Sequence, residues 1–429
     1  MPIGQPDTRR MSELDAAFVH AIVDASIARW LTIEAILKKC TDKPFAEFEP
    51  GLKGVLIGAA AQLLFLDRVP AHAILDTAVD WAKTNVRVGA AGLVNALLRN
   101  LTEAVDAKSD QPWDGSTTSI PIATGGSVRF KRPVLAEDET MRLAEATSCP
   151  LWLINRWNTA FGAKETKRLA LHGLVDPPTI LNTTYTKGEE IIAPDLTITP
   201  HDSPMHWIIS GPKAAMASLF AKRADIWVQD PASTASLLGI GDLAKKEKFA
   251  PRLIIDLCAG QGTKTKQLLA EFPTARLVAT DTDPRRLETL AETFKNEPRV
   301  RVTPMANIAR DHGETADAVL LDVPCSNSGV LARRLEARYR FEPEQLARLV
   351  ALQKEILGNS LRLLKRNGDA WIIYSTCSIE AEEDEKQVDA LKSAGFRTLR
   401  MERVMPQTVP GDPASRYTDG SFAAILRRK

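Results

Sequence analysis

The sequence predicts a multidomain protein with an all-α amino-terminal domain, a small α+β subdomain and a carboxyl-terminal α/β domain built on a parallel sheet. Apolar residues recur every three or four positions across residues 11–101, which is the spacing of amphipathic helices. β-branched runs after Pro177 and Pro178 indicate short strands. Beyond Asp230, short apolar strands alternate with helices, a rhythm typical of a parallel sheet that is covered on both faces.

Length and charge limit the class of protein. At roughly 100–200 residues per domain, a chain of 429 residues corresponds to about two to four domains. The chain carries 55 Lys and Arg against 54 Asp and Glu, a net charge of +1. This balance excludes a strongly basic nucleic-acid-binding tail and an acidic disordered chain. It still allows a basic face on a protein that is neutral overall.

The cysteines and the apolar segments predict a cytoplasmic protein without a membrane anchor. The five cysteines are scattered and form no C-x-x-C pair, which argues against a disulfide framework and against a zinc site. The amino terminus has no apolar run of the kind found in signal peptides. The longest apolar stretch, residues 54–66, is too short to cross a bilayer and predicts a core helix.

Changes of composition predict the domain boundaries. Residues 1–104 are expected to form a module of about five helices. Residues 105–135 are rich in Ser, Thr, Gly and Pro and are expected to be a linker or a long excursion with a short hairpin. Residues 136–224 should begin with helices and continue as short strands, and residues 225–429 should form the α/β domain.

Five apolar runs are predicted to be the strands of the α/β domain, at residues 253–257, 276–281, 299–302, 317–322 and 369–375. Helices are predicted at residues 266–271, from Pro284 onward and at residues 343–365, the last with Gly368 as its carboxyl-terminal cap. Because ligands of parallel α/β sheets bind at the carboxyl ends of the strands, candidate site residues are expected in the loops that follow.

The loop after the first of these strands, DLCAGQGTKT, is typical of a nucleotide-type ligand. Gly260 and Gly262 let the backbone approach a ligand, and the helix that follows offers free N–H groups. A dinucleotide loop would need a third glycine, and a phosphate loop would need Lys in place of Thr263. A loop for adenosyl-methionine tolerates the pattern, and a tight turn without a ligand remains the alternative.

Asp281 ends the second strand of this domain. An acidic residue about twenty positions after a glycine loop is well placed to accept a hydrogen bond from a ribose hydroxyl. The alternative role, capping of the next helix, suits Asp283 better because Pro284 follows it. Arg286 either braces the Asp281 carboxylate or is a solvated helix residue.

Two cysteines follow two further strands. Asp322 and Cys325 end the fourth strand in DVPCS, and Cys377 ends the fifth in YSTCS. A single free cysteine is usually a small buried apolar residue. Two thiols at equivalent strand ends beside a glycine loop favour a functional pair, while a disulfide or a metal pair stays open. The acidic run 382–385 is interpreted as the first turn of a helix.

The motifs DLCAGQGTKT, DVPCSNSGV and YSTCSIEAEEDE, in this order, resemble those of the RNA 5-methylcytosine methyltransferases. The stretch RVPAHAILDTAVDWAK with AGLVNALLRN resembles the NusB-type RNA-binding domain. The combination resembles the family of 16S ribosomal RNA small subunit cytosine-C5 methyltransferases of the B type. The resemblance implies a NusB-like domain, a Rossmann-like class I methyltransferase domain, S-adenosyl-L-methionine as cofactor and a cytosine of 16S ribosomal RNA as target.

The resemblance also implies roles for single residues. Cys377 is the expected nucleophile that adds to C6 of cytosine, and Cys325 assists release of the adduct as a candidate base. Asp322 is expected to bind the N3/N4 edge of the cytosine and to touch the cofactor. The expected cofactor-binding residues are Cys258, Ala259, Gly260, Gln261, Gly262, Thr263, Lys264, Asp281, Arg286 and Asn307, with Asn307 standing where the family usually has Asp. Lys264 is expected to pair with the methionine carboxylate or an RNA phosphate, or else to be solvated.

The expected partner is 16S ribosomal RNA or a small-subunit assembly intermediate, bound by a monomer without a metal ion. A groove with Arg333, Arg334, Arg338 and Arg340 is expected to face the RNA. Two alternatives remain at this point. One is a transfer RNA methyltransferase with the same chemistry, and the other is a non-catalytic RNA-binding assembly factor that does not bind the cofactor.

Overall fold

The computed structural model describes residues 6–186, 191–366 and 369–429. The chain divides into two compact units. The first unit contains Met1–Asp176, Leu331–Glu342 and Thr408–Asp412, and the second unit contains Pro177–Val330, Pro343–Gln407 and Pro413–Lys429. The predicted domain boundaries differ from this division and stay predictions.

The first unit begins with five helices, as predicted: α1 (Glu13–Ala28), α2 (Trp30–Lys38), α3 (Pro50–Phe65), α4 (Ala71–Asn85) and α5 (Ala90–Ala104). Helix α3 contains the apolar stretch that predicted a core helix, and Leu52, Leu56 and Leu64 on it are fully buried. Among the described residues, no single helix is long and apolar enough to cross a membrane. The pair α1 and α2, bent by 70°, reaches that length and hydropathy only when taken together.

The segment expected to be a linker, or a long excursion with a short hairpin, is folded. It forms a three-stranded antiparallel sheet of β1 (Val105–Ser109), β2 (Ser119–Pro121) and β3 (Ser127–Phe130), in the order β1-β3-β2. Ile120, Val128 and Phe130 belong to the same apolar core as the five helices. These strands are only three to five residues long, so they carry too little alternation to stand out from a loop composition.

Three further helices complete the main part of the first unit: α6 (Glu139–Thr147), α7 (Leu151–Phe161) and α8 (Ala163–His172). Arg338, from the Leu331–Glu342 segment of this unit, is only 1% exposed. Its guanidinium donates to the backbone oxygens of Thr147 (3.2 Å), Gly173 (2.7 Å) and Leu331 (3.1 Å).

The prediction that Arg338 faces RNA is therefore wrong. Arginine is normally exposed, so the sequence predicts a surface position. It does not show that three backbone carbonyl groups accept hydrogen bonds from this guanidinium and allow it to be buried. Arg334 and Arg340 are exposed, and Arg340 forms an ion pair with Glu336 (2.7 Å). Arg333 is half-buried.

The second unit opens with the short strands expected after Pro178. They form a four-stranded antiparallel sheet in the order β5-β6-β4-β7, with β4 (Thr179–Asn182), β5 (Thr197–Pro200), β6 (His206–Ser210) and β7 (Trp227–Val228). Helix α9 (Lys213–Lys222) follows β6. Leu181 and Ile209 of the sheet and Leu219 of α9 share one small apolar core.

A seven-stranded sheet dominates the second unit. Its strands are β8 (Leu253–Asp256), β9 (Arg276–Ala279), β10 (Val300–Val302), β11 (Ala318–Asp322), β12 (Trp371–Thr376), β13 (Phe396–Val404) and β14 (Ser421–Arg428). The order is β10-β9-β8-β11-β12-β14-β13. The five predicted strands are present and parallel to one another. Strands β13 and β14 were not predicted, and β14 runs antiparallel to both of its neighbours, so the sheet is mixed with mostly parallel strands, as in a Rossmann-like domain.

The remaining helices are α10 (Pro231–Ala235), α11 (Ile240–Lys246), α12 (Thr263–Glu271), α13 (Pro284–Thr293), α14 (Met305–His312), α15 (Ala337–Arg340, in the first unit), α16 (Pro343–Leu361) and α17 (Glu385–Ser393). Gly368, the expected cap of α16, lies outside the described residues. Alternate residues of the central strands enter two separate cores, one with Ile255 and Ile372 and the other with Ile254 and Ile373. Both faces of the sheet are therefore covered, which explains why these strands read as continuous apolar runs.

Candidate active site

The carboxyl edge of the large sheet gathers most of the residues singled out in the sequence. β8 leads into the glycine loop, β11 ends at Asp322 and continues to Cys325, and β12 is followed directly by Cys377. β11 lies between β8 and β12, and all three are parallel. Because their carboxyl ends meet at one edge, the glycine loop, Asp322 and both cysteines come together.

The glycine loop presents backbone rather than side chains. Gly260 and Gly262 have φ angles of +58° and +88°, in the left-handed region that favours glycine. A Cβ at Gly260 would meet no atom within 4 Å, so its backbone is open to a ligand. A Cβ at Gly262 would lie 2.5 Å from the Phe294 ring. Glycine is therefore required at 262 for packing, and at 260 it leaves open space.

Asp281 holds this loop from the next strand. Its carboxylate accepts hydrogen bonds from the backbone N–H of Gly260 (3.0 Å) and of Asp283 (2.9 Å). Asp283 caps α13 by accepting from the N–H of Arg285 (2.8 Å), as predicted. Arg286 reaches within 3.6 Å of the Asp281 carboxylate while remaining 58% exposed, so it combines the two roles that were left open for it.

Lys264 and Asp322 link the glycine loop to the end of β11. Their ion pair measures 2.8 Å between Lys264 Nζ and Asp322 Oδ2, and the Lys264 side chain is only 13% exposed. The alternative of a solvated lysine is thus ruled out by the geometry. Burial opposes the charge on Lys264, but the Asp322 carboxylate outweighs it, so the pKa of the ammonium is raised. Asp322 is 35% exposed, which leaves part of its carboxylate open to a ligand.

Asp256, at the end of β8, lies deeper. It is fully buried, and burial raises the pKa of its carboxyl to about 7, with the charge of Asp322 adding to the rise. The Thr265 hydroxyl donates to its Oδ2 (2.6 Å) and opposes the shift. Within the described residues its Oδ1 has no hydrogen-bond partner.

The two predicted thiols are in contact. Cys325 Sγ and Cys377 Sγ lie 3.2 Å apart, and both cysteines are free and half-buried. The hydrogen bond with Cys377, together with burial, raises the pKa of Cys325 well above its ordinary value. Cys325 is therefore a neutral thiol in this resting arrangement.

Asn327 lies between the two cysteines and was not singled out in the sequence. Its Oδ1 accepts from the Cys377 thiol (3.2 Å), and its Nδ2 donates to the backbone oxygen of Cys325 (3.1 Å). Its φ of +61° lies in the left-handed region, where Asn is better tolerated than most residues. The backbone N–H of Gly329 donates to the backbone oxygen of Cys377 (3.0 Å) and ties the same loop to the other thiol.

Glu383 fixes the Cys325 loop from a fully buried position. Its carboxylate accepts from the backbone N–H of Ser326 (2.9 Å), from the Ser326 hydroxyl (2.5 Å) and from Gln353 Nε2 (3.1 Å). Burial raises the pKa of Glu383, and these donors oppose the rise. Because Ser326 follows Cys325 directly, this carboxylate sets the position of that thiol.

Asp384 does the same for Cys377. It is fully buried and accepts from the Thr376 hydroxyl (2.6 Å) and from Arg403 Nη2 (3.0 Å). Burial raises the pKa of Asp384 to about 8, against the effect of Thr376 and Arg403. The interpretation of this acidic run as the first turn of a helix is wrong for residues 382–384, because α17 begins only at Glu385, and Glu383 and Asp384 are buried. A run of acids has no sequence signal that separates buried hydrogen-bond acceptors from surface charge.

The residues of the glycine loop fit S-adenosyl-methionine. The backbone at Gly260 is open, Cys258 and Thr263 are half-buried, Gln261 is exposed, and the first N–H groups of α12 have no partners within the helix. Burial raises the pKa of Cys258, so this thiol is a neutral lining group. The backbone N–H of Ala259 donates to the backbone oxygen of Thr280, and the Ala259 oxygen accepts from the N–H of Gly262.

Asn307, on α14, is half-buried. Its amide can both donate and accept hydrogen bonds, and its contact with the adenine ring stays a prediction. Among the described residues, no group of three or more His, Cys, Asp and Glu side chains is arranged to hold a metal ion.

Comparison with known proteins agrees with this geometry. A model of the family described as 16S rRNA methyltransferase RsmB/F matches residues 243–410, and one of the NusB family matches residues 3–103. The ribosomal RNA small subunit methyltransferase B of Xylella fastidiosa (strain 9a5c) is 30% identical over 93% of this chain and 86% of its own length. The chain belongs to the 16S rRNA methyltransferase RsmB/F family. The protein of that name from Vibrio cholerae is 26% identical over 97% of this chain and 90% of its own length.

Family membership makes the chain a methyltransferase that uses S-adenosyl-methionine as methyl donor. It overturns the alternative of a non-catalytic assembly factor and agrees with a NusB amino-terminal domain followed by a Rossmann-like catalytic domain. Solved structures support the fold. The crystal structure of PH0851 has a TM-score of 0.68 at 22% identity and covers 97% of this chain and 91% of its own. A methyltransferase homolog from Pyrococcus horikoshii has a TM-score of 0.50 at 19% identity over 68% and 100% of the two chains.

Proposed function

We propose that this RsmB/F-family methyltransferase methylates C5 of a cytosine in 16S ribosomal RNA through a covalent bond between Cys377 and C6. The observation that carries the proposal is the contact between two thiols, 3.2 Å apart, at the ends of adjacent parallel strands. C5 of cytosine is a weak nucleophile. Sulfur that adds to C6 makes C5 electron-rich, so a thiol at this position supplies what the reaction lacks.

The residues divide the work as follows. Bound S-adenosyl-methionine supplies an electrophilic methyl group. Cys377 loses its thiol proton as Sγ bonds to C6, and N3 of the base takes up a proton in exchange. Asp322, whose carboxylate is partly exposed, binds the N3/N4 edge of the base and favours this protonated adduct. After methylation, the C5 proton must leave, and the electron pair of the C5–H bond then expels Cys377 from C6.

Cys325 is the candidate base for that proton. Its hydrogen bond with Cys377 is the largest cause that raises the pKa of Cys325 in the resting protein. In that bond the Cys325 thiol donates to Cys377 Sγ, because the Cys377 thiol proton already goes to Asn327. Once Cys377 is bound to C6, its sulfur is a weaker acceptor for the Cys325 proton, so Cys325 ionises more readily. The contact between the two sulfurs supports this order of events, adduct first and base second.

The target base must leave its stack to reach both thiols, and unpaired nucleotides of folded RNA pay the least for this. Support for 16S ribosomal RNA comes from the matching family model, which is described as a 16S rRNA methyltransferase, and from relatives named as methyltransferases of small-subunit ribosomal RNA. Transfer RNA, the alternative with the same chemistry, serves as the comparison substrate in the test.

The test combines activity and trapping. Enzyme and labelled S-adenosyl-methionine are incubated with unmodified 16S rRNA or with transfer RNA, and mass spectrometry locates 5-methylcytosine. Cys377→Ser should abolish transfer, and Cys325→Ala should accumulate a covalent protein–RNA species. Cys40→Ala, at a buried thiol in the first unit, is the control and should do neither. Full activity of Cys377→Ser, or methylation at a position other than C5, would contradict the proposal.

A further inference from the structure

A second concave site lies within the second unit, apart from the cysteines and the glycine loop. It is a cavity of about 350 Å³. It is lined by His201, Asp202, Ser203, Pro231, Ala232, Ala235, Val404, Gln407, Arg416 and Thr418. None of these residues belongs to the proposed catalytic or cofactor-binding set.

The cavity lies at the same edge of the large sheet as the cysteines. β13 ends at Val404, where it pairs with Ser421 at the start of β14, and β14 pairs with β12 beside Thr376. Neighbouring strands are about 4.8 Å apart, so the end of β13 lies about 10 Å from the end of β12. The backbone of Gly420 donates to Gly329 (2.7 Å), which in turn donates to Cys377 (3.0 Å). The cavity is thus a direct neighbour of the proposed reaction centre.

The walls of the cavity are bonded to one another. The N–H of Asp202 donates to the backbone oxygen of Ser415 (2.9 Å), and the His201 ring bonds the backbone oxygen of Tyr417 (2.7 Å). The N–H of Gln407 donates to the backbone oxygen of Thr418 (2.9 Å). Ser421 Oγ donates to the backbone oxygen of Ala232 (2.8 Å). The cavity is therefore preformed, which lowers the entropic cost of binding a ligand there.

Three exposed polar side chains line this cavity, and the described residues give them no partner. Asp202, Gln407 and Arg416 are exposed, and within the described residues their side chains form no hydrogen bond or ion pair. The floor is apolar, with Pro231, Ala235 and Val404. A flat apolar floor with a few convergent polar groups is the usual composition of a small-ligand site.

The side chains of Asp202, Gln407 and Arg416 together match the phosphate and the base edge of one nucleotide. The guanidinium of Arg416 suits a phosphate. The amide of Gln407 can donate to and accept from a base edge, and the carboxylate of Asp202 can accept from an exocyclic amino group. The apolar floor suits the face of a base. An isolated anion would have no use for the carboxylate or the apolar floor.

We propose that this cavity binds a nucleotide that neighbours the target cytosine in the RNA strand and so selects the sequence around the methylated position. The inference rests on the proposed RNA substrate. It assigns Arg416 to the phosphate of that nucleotide, and Gln407 and Asp202 to the edge of its base. The NusB-type domain would then contribute affinity for the RNA as a whole. The cavity would determine which cytosine of the strand lies at the reaction centre.

The first test measures binding of unmodified 16S rRNA to the full-length protein as a function of salt. Arg416→Ala should lower the slope of log K against log salt by about one unit, the loss of one phosphate contact, with the same effect on every RNA that binds. Arg276→Ala is the matched control. Arg276 is also exposed, lies in the same unit, and stands at the amino end of β9, the opposite edge of the sheet. Equal slopes for the two variants would overturn the phosphate assignment.

The second test measures the contribution of the contact between Gln407 and the base to RNA binding. Oligoribonucleotides centred on the methylated cytosine carry an abasic residue at each flanking position in turn. With the wild-type protein, one abasic position should weaken binding about tenfold, and Gln407→Ala should weaken binding of intact RNA by a similar factor. Gln407→Ala should add little at that abasic position, because the contact is already lost. Additive effects at every flanking position would overturn the proposal.

The two hypotheses fail differently. If no cytosine is methylated, the proposed function fails, while the salt test on Arg416 still decides whether the cavity binds RNA. If methylation proceeds and the Arg416 and Gln407 variants bind and react as the wild type does, the proposed function stands and the cavity is not an RNA site.

Discussion

Two neighbouring regions of the same sheet edge are built in opposite ways. The glycine loop, residues 258–265, offers backbone groups, and its shape depends on two glycines with positive φ. The cysteine loops after β11 and β12 offer reactive side chains, and their shape depends on two buried carboxylates, Glu383 and Asp384. The first region should tolerate a change of its exposed side chain, Gln261, and fail when a Cβ is added at a glycine. The second should respond to changes of single hydrogen bonds and to pH.

The largest effect is expected from Glu383→Ala. It leaves the Ser326 N–H, the Ser326 hydroxyl and Gln353 without an acceptor in a buried place. Displacement of Cys325 by about 1 Å would lower methyl transfer on the order of 100-fold. Affinity for S-adenosyl-methionine, measured by calorimetry, should change little because the glycine loop has its own support.

Two further variants sharpen this prediction. Glu383→Gln keeps one acceptor oxygen for the Ser326 N–H and Gln353, and the Ser326 hydroxyl can turn to accept from the new amide. It should therefore retain most of the activity. Glu382→Ala removes the adjacent carboxylate, which pairs with Lys386 on the surface side, and should be nearly neutral. Equal loss of cofactor affinity and activity in Glu383→Ala would show general unfolding rather than a local effect on Cys325.

The same contrast explains what the sequence could predict. The five parallel strands could be predicted because strands buried on both faces are continuous apolar runs. Both cysteines could be identified as candidate site residues because they follow equivalent strands. The burial of Glu383 and Asp384 could not be predicted, since an acidic run usually indicates the solvated start of a helix. Burial of Arg338 was hidden in the same way, because three backbone carbonyls, not another charge, satisfy it. Strand β13 mixes charged with apolar residues. Strand β14 carries an apolar run but follows β13 without an α-helix between them, so neither strand fits the strand–helix alternation of the parallel sheet.

The glycine loop is broken most directly by Gly262→Ala. The substitution costs about 1–2 kcal/mol for a left-handed backbone and places a methyl group 2.5 Å from the Phe294 ring. Cofactor affinity should fall about tenfold or more, and the thermal midpoint should fall as well. Alkylation of Cys377 by iodoacetamide should keep its wild-type rate, because the cysteine loops do not depend on this turn.

Gly260→Ala and Gly239→Ala separate strain from ligand contact. Both positions have positive φ and open space around the added methyl group, but only Gly260 lies in the cofactor loop. Similar stability losses are expected for both, with weaker cofactor binding for Gly260→Ala alone. Unchanged cofactor affinity in Gly260→Ala would show that the open side of the loop is not where the ligand binds.

A smaller effect is expected at Asn327, which contacts both thiols. Its Oδ1 accepts from the Cys377 thiol and so stabilises the S–H form. Asn327→Gly removes this acceptor and suits the φ of +61°, so alkylation of Cys377 should become several-fold faster. Asn327→Asp keeps an acceptor and places a negative charge beside the sulfur, so alkylation should become slower. The same direction of change in both variants would contradict the assigned hydrogen bond.

The smallest effect is the part of the pH dependence of stability that comes from the cysteine region. Burial raises the pKa of Asp384 to about 8. Between its ordinary value and this one, the folded protein holds a proton that the unfolded chain has released. Stability therefore falls as pH rises through this window and levels off above about 8. Asp384→Asn cannot ionise, so the thermal midpoint of the wild type should fall relative to this variant between pH 5 and 9. Asp389→Asn is the control, because Asp389 is an exposed residue of α17 that pairs with Lys392, and its curve should run parallel to the wild type.

The contribution of Asp256 is common to all three proteins and cancels in these differences. Parallel curves for Asp384→Asn would mean that Arg403 and Thr376 keep the carboxylate charged at every pH, and the support of Cys377 would then be an ion pair rather than a protonated acid.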